Sequence, residues 1–284
     1  MSIIIKTNLE SMIVQKNLSM ATNSLNTAIE RMTTGYKINR ASDNAAGFSI
    51  SESWQTKLGS LDIAAQNIAM GIDMLNTAEG SYELISNHLS RVRDLTEQAA
   101  NGTYGSQSLA AINKEITARL NEIDRISAST EYNGIALMTD DPSSIPLQVG
   151  ITGDSATSQI VLDSTLFAKS TATALFGGGD SLAQIASKCS TTSSAPAMLT
   201  RIDSAIQNIS ERMTDIGAYQ NRLTSAEDSN YTQTQNLTSS LSTMRDADVA
   251  KESSNYIQAQ ILQQASATLL ATANQAPSIA LNLI

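Results

Sequence analysis

The sequence predicts a mainly α-helical protein: a long antiparallel helical bundle or coiled-coil rod with a small β-hairpin region, its N- and C-terminal helices paired. Apolar residues recur at alternating four- and three-residue steps in several segments, as in helices that pack along their length. Aromatic residues make up 4% of the 284 residues, with one tryptophan. A large globular core is therefore hard to build, and extended bundles are favoured.

The clearest heptad seam runs from Ile202 to Met244 and predicts one helix of roughly 40 residues, about 60 Å long. Its apolar positions are Ile202, Ile206, Ile209, Met213, Ile216, Leu223, Leu237, Leu241 and Met244. No proline or glycine interrupts this segment after Gly217, and Pro196 suits the first turn of the helix. A helix of this length needs partners along its whole length.

The N-terminal segment carries a second seam, formed by Val14, Leu18, Ala21, Leu25, Ala28 and Met32. Gly35 is a plausible C-terminal cap for this helix. Because alanines fill alternate positions, the seam buries little area, while ordering costs about 1–2 kcal/mol per residue. We expect this helix to be marginal until something packs on it.

Two further helices are predicted in the first half of the chain. Asn39–Gly47 is a polar break in which Ser42 or Asp43 could cap the next helix. Apolar residues from Leu58 to Ala99 then predict a helix that ends near Gly102 in a left-handed glycine conformation. Leu109 to Ile123 predict a second helix, antiparallel to the first and closed by a turn at Asn133-Gly134.

The segment 139–194 changes in character. Pro142 and Pro146 exclude helix, and alternating apolar residues from Leu147 onward, with Ile160 and Leu162 beyond a polar turn, predict a β-hairpin. Gly177-Gly178-Gly179 and, further on, Thr191–Ser194 mark irregular surface structure. Cys189, the single cysteine, is expected to be an incidental thiol in a loop.

The C-terminal segment predicts an alanine-rich amphipathic helix. Its large apolar residues are Ile257, Ile261, Leu262, Leu269 and Leu270. We expect the two ends of the chain to fold against each other and against other copies. A face repeated in every subunit makes heterologous, open contacts, which generate a filament.

Charge and hydropathy exclude several classes of partner. The formal net charge is −9, and no run of Lys or Arg is present, so we expect no nucleic-acid partner and no anionic membrane partner. No segment reaches the roughly 20 apolar residues of a membrane span. The N-terminus lacks the features of a cleaved signal, so the chain is expected to be cytosolic or exported without one.

Catalytic chemistry is not visible. His88 is the only histidine and is expected to be an exposed structural residue, so we expect no catalytic residue, no metal site and no cofactor. The carboxylate pairs Asp140-Asp141 and Glu227-Asp228 lie in polar surroundings that favour solvated faces.

Several motifs resemble those of bacterial flagellin, and they occur in family order over nearly the whole chain. They are Ile38–Gly47, Thr77–Gly80, Arg91–Asn101, Leu120–Ile126, Tyr132–Gly134, Ile216–Leu223, Ala259–Ala265 and Ala273–Pro277. The resemblance implies a structural subunit that polymerises into the extracellular flagellar filament for motility, exported unfolded by the flagellar type III apparatus. It also implies terminal helices in an inner layer (1–42 and 246–284), an outer helical layer (43–138 and 195–245) and a short variable region (139–194).

The same resemblance implies partners. The subunit interface is expected at Val14, Leu18, Leu25, Met32, Ile257, Ile261, Leu262, Leu269 and Leu270. An export chaperone is expected on Val249–Ile284, with hook-associated and cap proteins at the filament ends. A surface for the Toll-like receptor for flagellin is expected at Arg91, Leu95, Gln98 and Glu115. The residues themselves leave a second interpretation open, in which Leu95 belongs to a helix-packing stripe and the other three are subunit contacts.

Two alternatives to a filament subunit are left open by the sequence. A hook–filament junction protein shares the terminal helices but would not build a long polymer. A secreted receptor ligand would self-assemble only weakly.

Overall fold

A computed structural model describes residues 7–281, with side chains through residue 275. The first six residues, on which the expectation about a signal depends, lie outside the described residues, as does the end of the expected chaperone segment. The chain divides into two compact units, Met1–Leu58 with Gln235–Ile284 and Gly59–Thr234.

The described residues form eight helices and two small antiparallel strand pairs, which confirms the predicted mainly α fold. The helices are α1 (Leu9–Thr34), α2 (Ala45–Ala100), α3 (Ser106–Ser129), α4 (Ser155–Ser158), α5 (Ala172–Phe176), α6 (Leu182–Cys189), α7 (Ala195–Arg245) and α8 (Val249–Leu281). The strands are β1 (Glu131–Tyr132), β2 (Ile135–Ala136), β3 (Ile145–Gln148) and β4 (Gln159–Leu162). Within residues 7–281, no helix has the length and apolar content to cross a membrane.

In the first unit, α1 and α8 pack side by side. The Asn8 side chain caps α1 by accepting a hydrogen bond from the Ser11 N–H, and Gly35 ends the helix at φ 75°, as predicted. Two backbone hydrogen bonds join the loops after α1 and α7. The Lys37 N–H donates to the Arg245 carbonyl at 2.7 Å, and the Ala247 N–H donates to the Gly35 carbonyl at 2.8 Å. The Arg245 guanidinium lies 4.6 Å from the centre of the Tyr36 ring.

The predicted cap of α2 is wrong. Asn44 caps the helix, since its Oδ1 accepts a hydrogen bond from the Gly47 N–H at 2.9 Å. Asp43 instead accepts from the Asn39 and Arg40 N–H groups, which closes the preceding turn and holds the pKa of its carboxyl below the usual value. Asn44 therefore occupies the position that Ser42 and Asp43 were expected to fill.

In the second unit, α2, α3 and α7 form an antiparallel bundle. Arg91 on α2 contacts Glu115 on α3, while Arg93 on α2 contacts Asp203 on α7 at 2.6 Å. The buried core includes Ile68, Leu75, Tyr82, Ile85, Leu89, Ile116, Leu120, Ile123, Ile202, Ile209, Ile216 and Leu223. The helix α2 ends near Gly102 as predicted, but Gly102 is not left-handed; the Tyr104 N–H donates to the Asn101 carbonyl and closes the turn.

The predicted hairpin is present. Strand β3 pairs antiparallel with β4, with Leu147 opposite Ile160. Asn67 of α2 and Asn230 of α7 donate their Nδ2 atoms to the Gln148 and Val149 carbonyls at 3.1 and 2.8 Å. Side chains from two long helices therefore hold adjacent carbonyls at the end of β3.

Three short elements between β4 and α7 were not predicted from the sequence. A short 3-10 turn at Ser164–Phe167 and the helices α5 and α6 pack into the core. Cys189 ends α6 and is fully buried, not in a loop, and burial raises the pKa of its thiol. These helices are too short to show a helical period in the sequence.

Candidate assembly surface

The α1–α8 seam is built from small residues. Its most buried small residues are Ala21, Ala28, Ala259 and Ser266, each less than a tenth exposed. Half-buried apolar side chains flank them, namely Val14, Leu18 and Leu25 of α1 and Leu270 of α8. Small side chains let the helices approach closely, but they remove little apolar area from water.

Polar contacts along the seam fix its antiparallel register. The Asn8 Nδ2 donates to the Ala273 carbonyl at 2.8 Å, and the Gln263 Nε2 donates to the Thr22 hydroxyl at 3.2 Å. At the other end, the Arg31 guanidinium lies 3.3 Å from the Glu252 carboxylate. The Arg31 side chain is 30% exposed and that of Glu252 is 9% exposed, so this ion pair is largely shielded from solvent.

The residues predicted to form a subunit interface divide into two groups. Val14, Leu18, Leu25 and Leu270 lie in the seam within one chain. The others point to solvent: Met32 is 37% exposed, Ile257 51%, Ile261 60%, Leu262 50% and Leu269 56%. Sequence reasoning missed further exposed apolar residues on α1, namely Leu9, Met12, Ile13 and Met20. The sequence carried a signal for these four residues, because they are large and apolar and stand at helix positions outside the seam.

A groove of about 830 Å³ runs along the exposed side of the α1–α8 pair. Ala21, Ala28 and Ala259 line it together with Met20, Leu262 and Leu269. A second concavity of about 380 Å³ lies over Ile257, Ile261 and Leu262. Both are lined by residues of the first unit.

Helix α8 is apolar on more than one side. One side packs on α1, and the opposite side presents Ile257 and Ile261 to water. A helix that is apolar all round is normally buried, and a contiguous exposed apolar patch marks an interaction site. The α1–α8 pair therefore has the surface of a protein that associates with further helices.

The residues predicted to contact a receptor lie in the second unit. The Arg91 Nε donates to the Glu115 carboxylate at 2.9 Å, and Arg119 lies 3.7 Å from the same carboxylate. Gln98 is exposed, whereas Leu95 is 2% exposed and belongs to the core. Three of the four side chains are thus at the surface, and the fourth is not.

His88 is half-buried beside Arg119, not exposed as predicted. Its Nδ1 lies 3.5 Å from the Arg119 guanidinium. Partial burial and the nearby positive charge lower the pKa of the imidazole. Among the described residues, no three His, Cys, Asp or Glu side chains come together as they would at a metal site.

These observations define a class: a helical subunit whose paired terminal helices carry an exposed apolar surface for self-association. Comparison with known proteins identifies the family within that class. Residues 5–141 match the bacterial flagellin N-terminal helical region, and residues 199–284 match the bacterial flagellin C-terminal helical region.

Relatives match over nearly the full length. The chain is 34% identical over 281 residues to flagellin of Halalkalibacterium halodurans, covering 99% of both chains. It is 31% identical over 291 residues to flagellin FlaB2 of Treponema pallidum, again covering 99% of both. The chain belongs to the bacterial flagellin family, and it is a structural subunit of the extracellular flagellar filament and not an enzyme.

A solved structure assigned to a flagellar hook-associated protein from Vibrio parahaemolyticus shares the fold. It is 16% identical, with a TM-score of 0.60, and the match covers 71% of this chain and 99% of that chain. At this identity the likeness concerns the fold alone.

Proposed function

We propose that copies of this chain polymerise through the α1–α8 pair, with residues 1–42 and 246–284 in an inner layer of the filament. Residues 43–138 and 195–245 would form an outer layer, and 139–194 a short variable region. One observation carries the proposal: four large apolar side chains of α8 are at least half exposed, although this helix already packs on α1. They are Ile257, Ile261, Leu262 and Leu269.

Energetics support assembly at this surface. Burying a large aliphatic side chain contributes about 1.5–3 kcal/mol, whereas the alanine and serine seam within one chain contributes little. Ordering each residue costs about 1–2 kcal/mol. The terminal helices therefore gain most of their stability when neighbouring copies cover their outer faces.

The resemblance to flagellins also suggests how the chain reaches the filament. We infer that the chain is exported unfolded by the flagellar type III apparatus without a cleaved signal, with a chaperone on Val249–Ile284. A helix that is apolar on more than one side needs cover before it reaches the filament. Hook-associated and cap proteins would meet the same terminal helices at the filament ends.

Recognition by the Toll-like receptor for flagellin stays a prediction for Arg91, Leu95, Gln98 and Glu115. The surface positions of Arg91, Gln98 and Glu115 support it. The buried Leu95 would contribute by holding α2 in place.

The proposal is tested by filament elongation on purified filament fragments. Deleting residues 249–284 is expected to abolish elongation while the second unit stays helical by circular dichroism. Ile261→Asp in the full chain should raise the concentration needed for elongation at least tenfold, because it places a charge in the apolar face.

Gln260→Asp is the matched control. It adds the same charge one residue away, at an exposed position that lines neither groove. Filaments formed by the truncated chain, or equal effects of the two aspartates, would refute the proposal. Electron microscopy of the elongated fragments also separates a filament subunit from a junction protein, which would add only a few rows.

A further inference from the structure

The first turn of α1 and the C-terminal part of α8 meet at the Asn8 side chain. Its Oδ1 accepts a hydrogen bond from the Ser11 N–H at 3.0 Å, and its Nδ2 donates to the Ala273 carbonyl at 2.8 Å. The Ser11 hydroxyl donates to the Asn274 Oδ1, also at 2.8 Å. Both segments belong to the first unit, and Asn8 and Ala273 are half-buried. One amide group therefore serves both helices.

The Ala273 carbonyl lacks its usual helical donor. Helix α8 continues through Pro277 to Leu281. In an α-helix a carbonyl accepts from the N–H four residues later, and that residue here is Pro277, which has no N–H. A backbone carbonyl removed from water costs free energy unless another donor reaches it. The Asn8 Nδ2 is such a donor, so it replaces a bond that the sequence of α8 cannot form.

The start of α1 has the complementary need. The Ser11 N–H is among the N–H groups at a helix start that find no acceptor within the helix. Asparagine, aspartate and serine cap such groups about equally well, but only asparagine also carries N–H donors on an amide. Asn8 therefore does more than cap α1, since its second hydrogen bond requires the amide.

The same turn of α1 carries three exposed apolar side chains. Leu9, Met12 and Ile13 are 67%, 63% and 52% exposed, and their spacing places them on one side of the helix. Together they form the first-turn cluster. The hydrogen bond from Asn8 limits how far this turn can move from α8, so the direction in which the cluster faces depends on Asn8.

We propose that Asn8 is a positioning residue for assembly. By replacing the N–H that Pro277 lacks, it joins the first turn of α1 to α8 and sets where the first-turn cluster meets a neighbouring copy. The two residues act as a pair, because with an N–H at position 277 the carbonyl would be satisfied within α8 and the Asn8 donor would be redundant. The inference rests on the proposed function, since its effect is exerted in the filament.

Removing the donor while keeping the cap tests the role of Asn8. Asn8→Ser should raise the elongation concentration about fivefold, since one hydrogen bond between the helices is lost. Asn8→Asp should raise it about tenfold, because a carboxylate oxygen then faces the Ala273 carbonyl. Asn26→Ser and Asn26→Asp are the matched controls and should stay close to wild type, because Asn26 is an exposed α1 residue that lines neither groove.

Pro277→Ala supplies the measurement that a cap alone would not change. It restores an N–H for the Ala273 carbonyl within α8. Relative to Pro277→Ala alone, adding Asn8→Ser should then raise the elongation concentration by less than about twofold. An equal effect of Asn8→Ser with and without Pro277→Ala, or no effect in either case, would overturn the proposal.

Hydrogen exchange covers variants that assemble poorly. Variant chains are incorporated as a minority into wild-type filaments, and exchange in the first turn of α1 is followed. Asn8→Ser should speed this exchange, and Pro277→Ala should remove most of the difference; the same acceleration in both cases would contradict the pairing. Ile261→Asp, measured in parallel, separates the two proposals. An effect of Asn8→Ser that depends on Pro277, in filaments that tolerate Ile261→Asp, would refute the apolar-face proposal and retain this one.

Discussion

At the scale of single residues, the end of the β3–β4 hairpin depends on close backbone contacts. The Val149 and Gly150 N–H groups both donate to the Ser158 carbonyl, at 2.8 and 3.0 Å. A Cβ on Gly150 would lie 2.9 Å from the Ser158 Cα. The side chains of Asn67 and Asn230 fix the opposite side of this segment, so the loop has little room to move away.

Gly150→Ala should therefore lower the free energy of unfolding of the second unit by about 1–3 kcal/mol. Urea denaturation followed by circular dichroism measures the change. Gly153→Ala is the control, because an added Cβ there would meet no atom within 4 Å. Equal stability of the two variants would show that the hairpin end adapts to the extra methyl group.

Prediction from the sequence was least reliable at this scale. The choice between Ser42, Asp43 and Asn44 as the cap of α2 depends on a turn that Asp43 closes with backbone hydrogen bonds, and propensity alone does not separate these residue types. The half-buried position of His88 depends on Arg119, which comes from a different helix.

At the scale of elements, the α1–α8 pair combines a weak apolar seam with polar contacts that specify the register of the two helices. The Arg31–Glu252 ion pair lies at one end of the seam, and Asn255 donates a second hydrogen bond to Glu252 at 3.1 Å. A shielded charge pair in a helical seam favours the register in which its charges meet. The alanines alone would permit neighbouring registers.

Glu252→Ala should weaken the pairing by roughly 1–3 kcal/mol, because it leaves the half-buried Arg31 without its carboxylate. The elongation concentration should rise, and the double exchange Arg31→Glu with Glu252→Arg should restore it in part. Glu30→Ala is the matched control, since Glu30 pairs with an Arg40 side chain that is 70% exposed. Such exposed pairs contribute about 0–1 kcal/mol. A failure of the exchange to restore elongation would exclude this pair as the source of register.

Elements with many heptad positions were predictable from the sequence, and short ones were not. The seams of α1 and α7 repeat over several turns, and Gly35, Pro196 and Asn133-Gly134 mark boundaries with known backbone preferences. Helices α5 and α6 span only five and eight residues and are held by contacts with the core. The split of the candidate interface also escaped prediction, because a helical period does not show which apolar side faces the same chain.

At the scale of the whole molecule, net charge opposes the association that the apolar surfaces favour. Each copy carries a formal charge of −9. In a polymer these charges are brought close together, and dissolved salt screens them over about 10 Å at 0.1 M.

Elongation should therefore be faster at about 0.3 M than at about 0.03 M sodium chloride, since screening lowers the repulsion between incoming and assembled copies. Light scattering on seeded samples measures the rate, with sucrose at equal osmolality as the control for excluded volume. A rate that is unchanged or lower at the higher salt concentration would show that attractive ion pairs between copies outweigh the net repulsion.

The hydrogen-bonded junction of the loops after α1 and α7 has a mechanical consequence. The Lys37 and Ala247 N–H groups link the two loops in both directions, and Arg245 stacks on Tyr36. Because these hydrogen bonds join the loops, a torque applied to one loop is shared by both peptide segments. Neither segment bears the load alone. A rotating fibre built from such molecules would resist twist at this junction by shearing two backbone hydrogen bonds together, and would recover its form when the torque reverses.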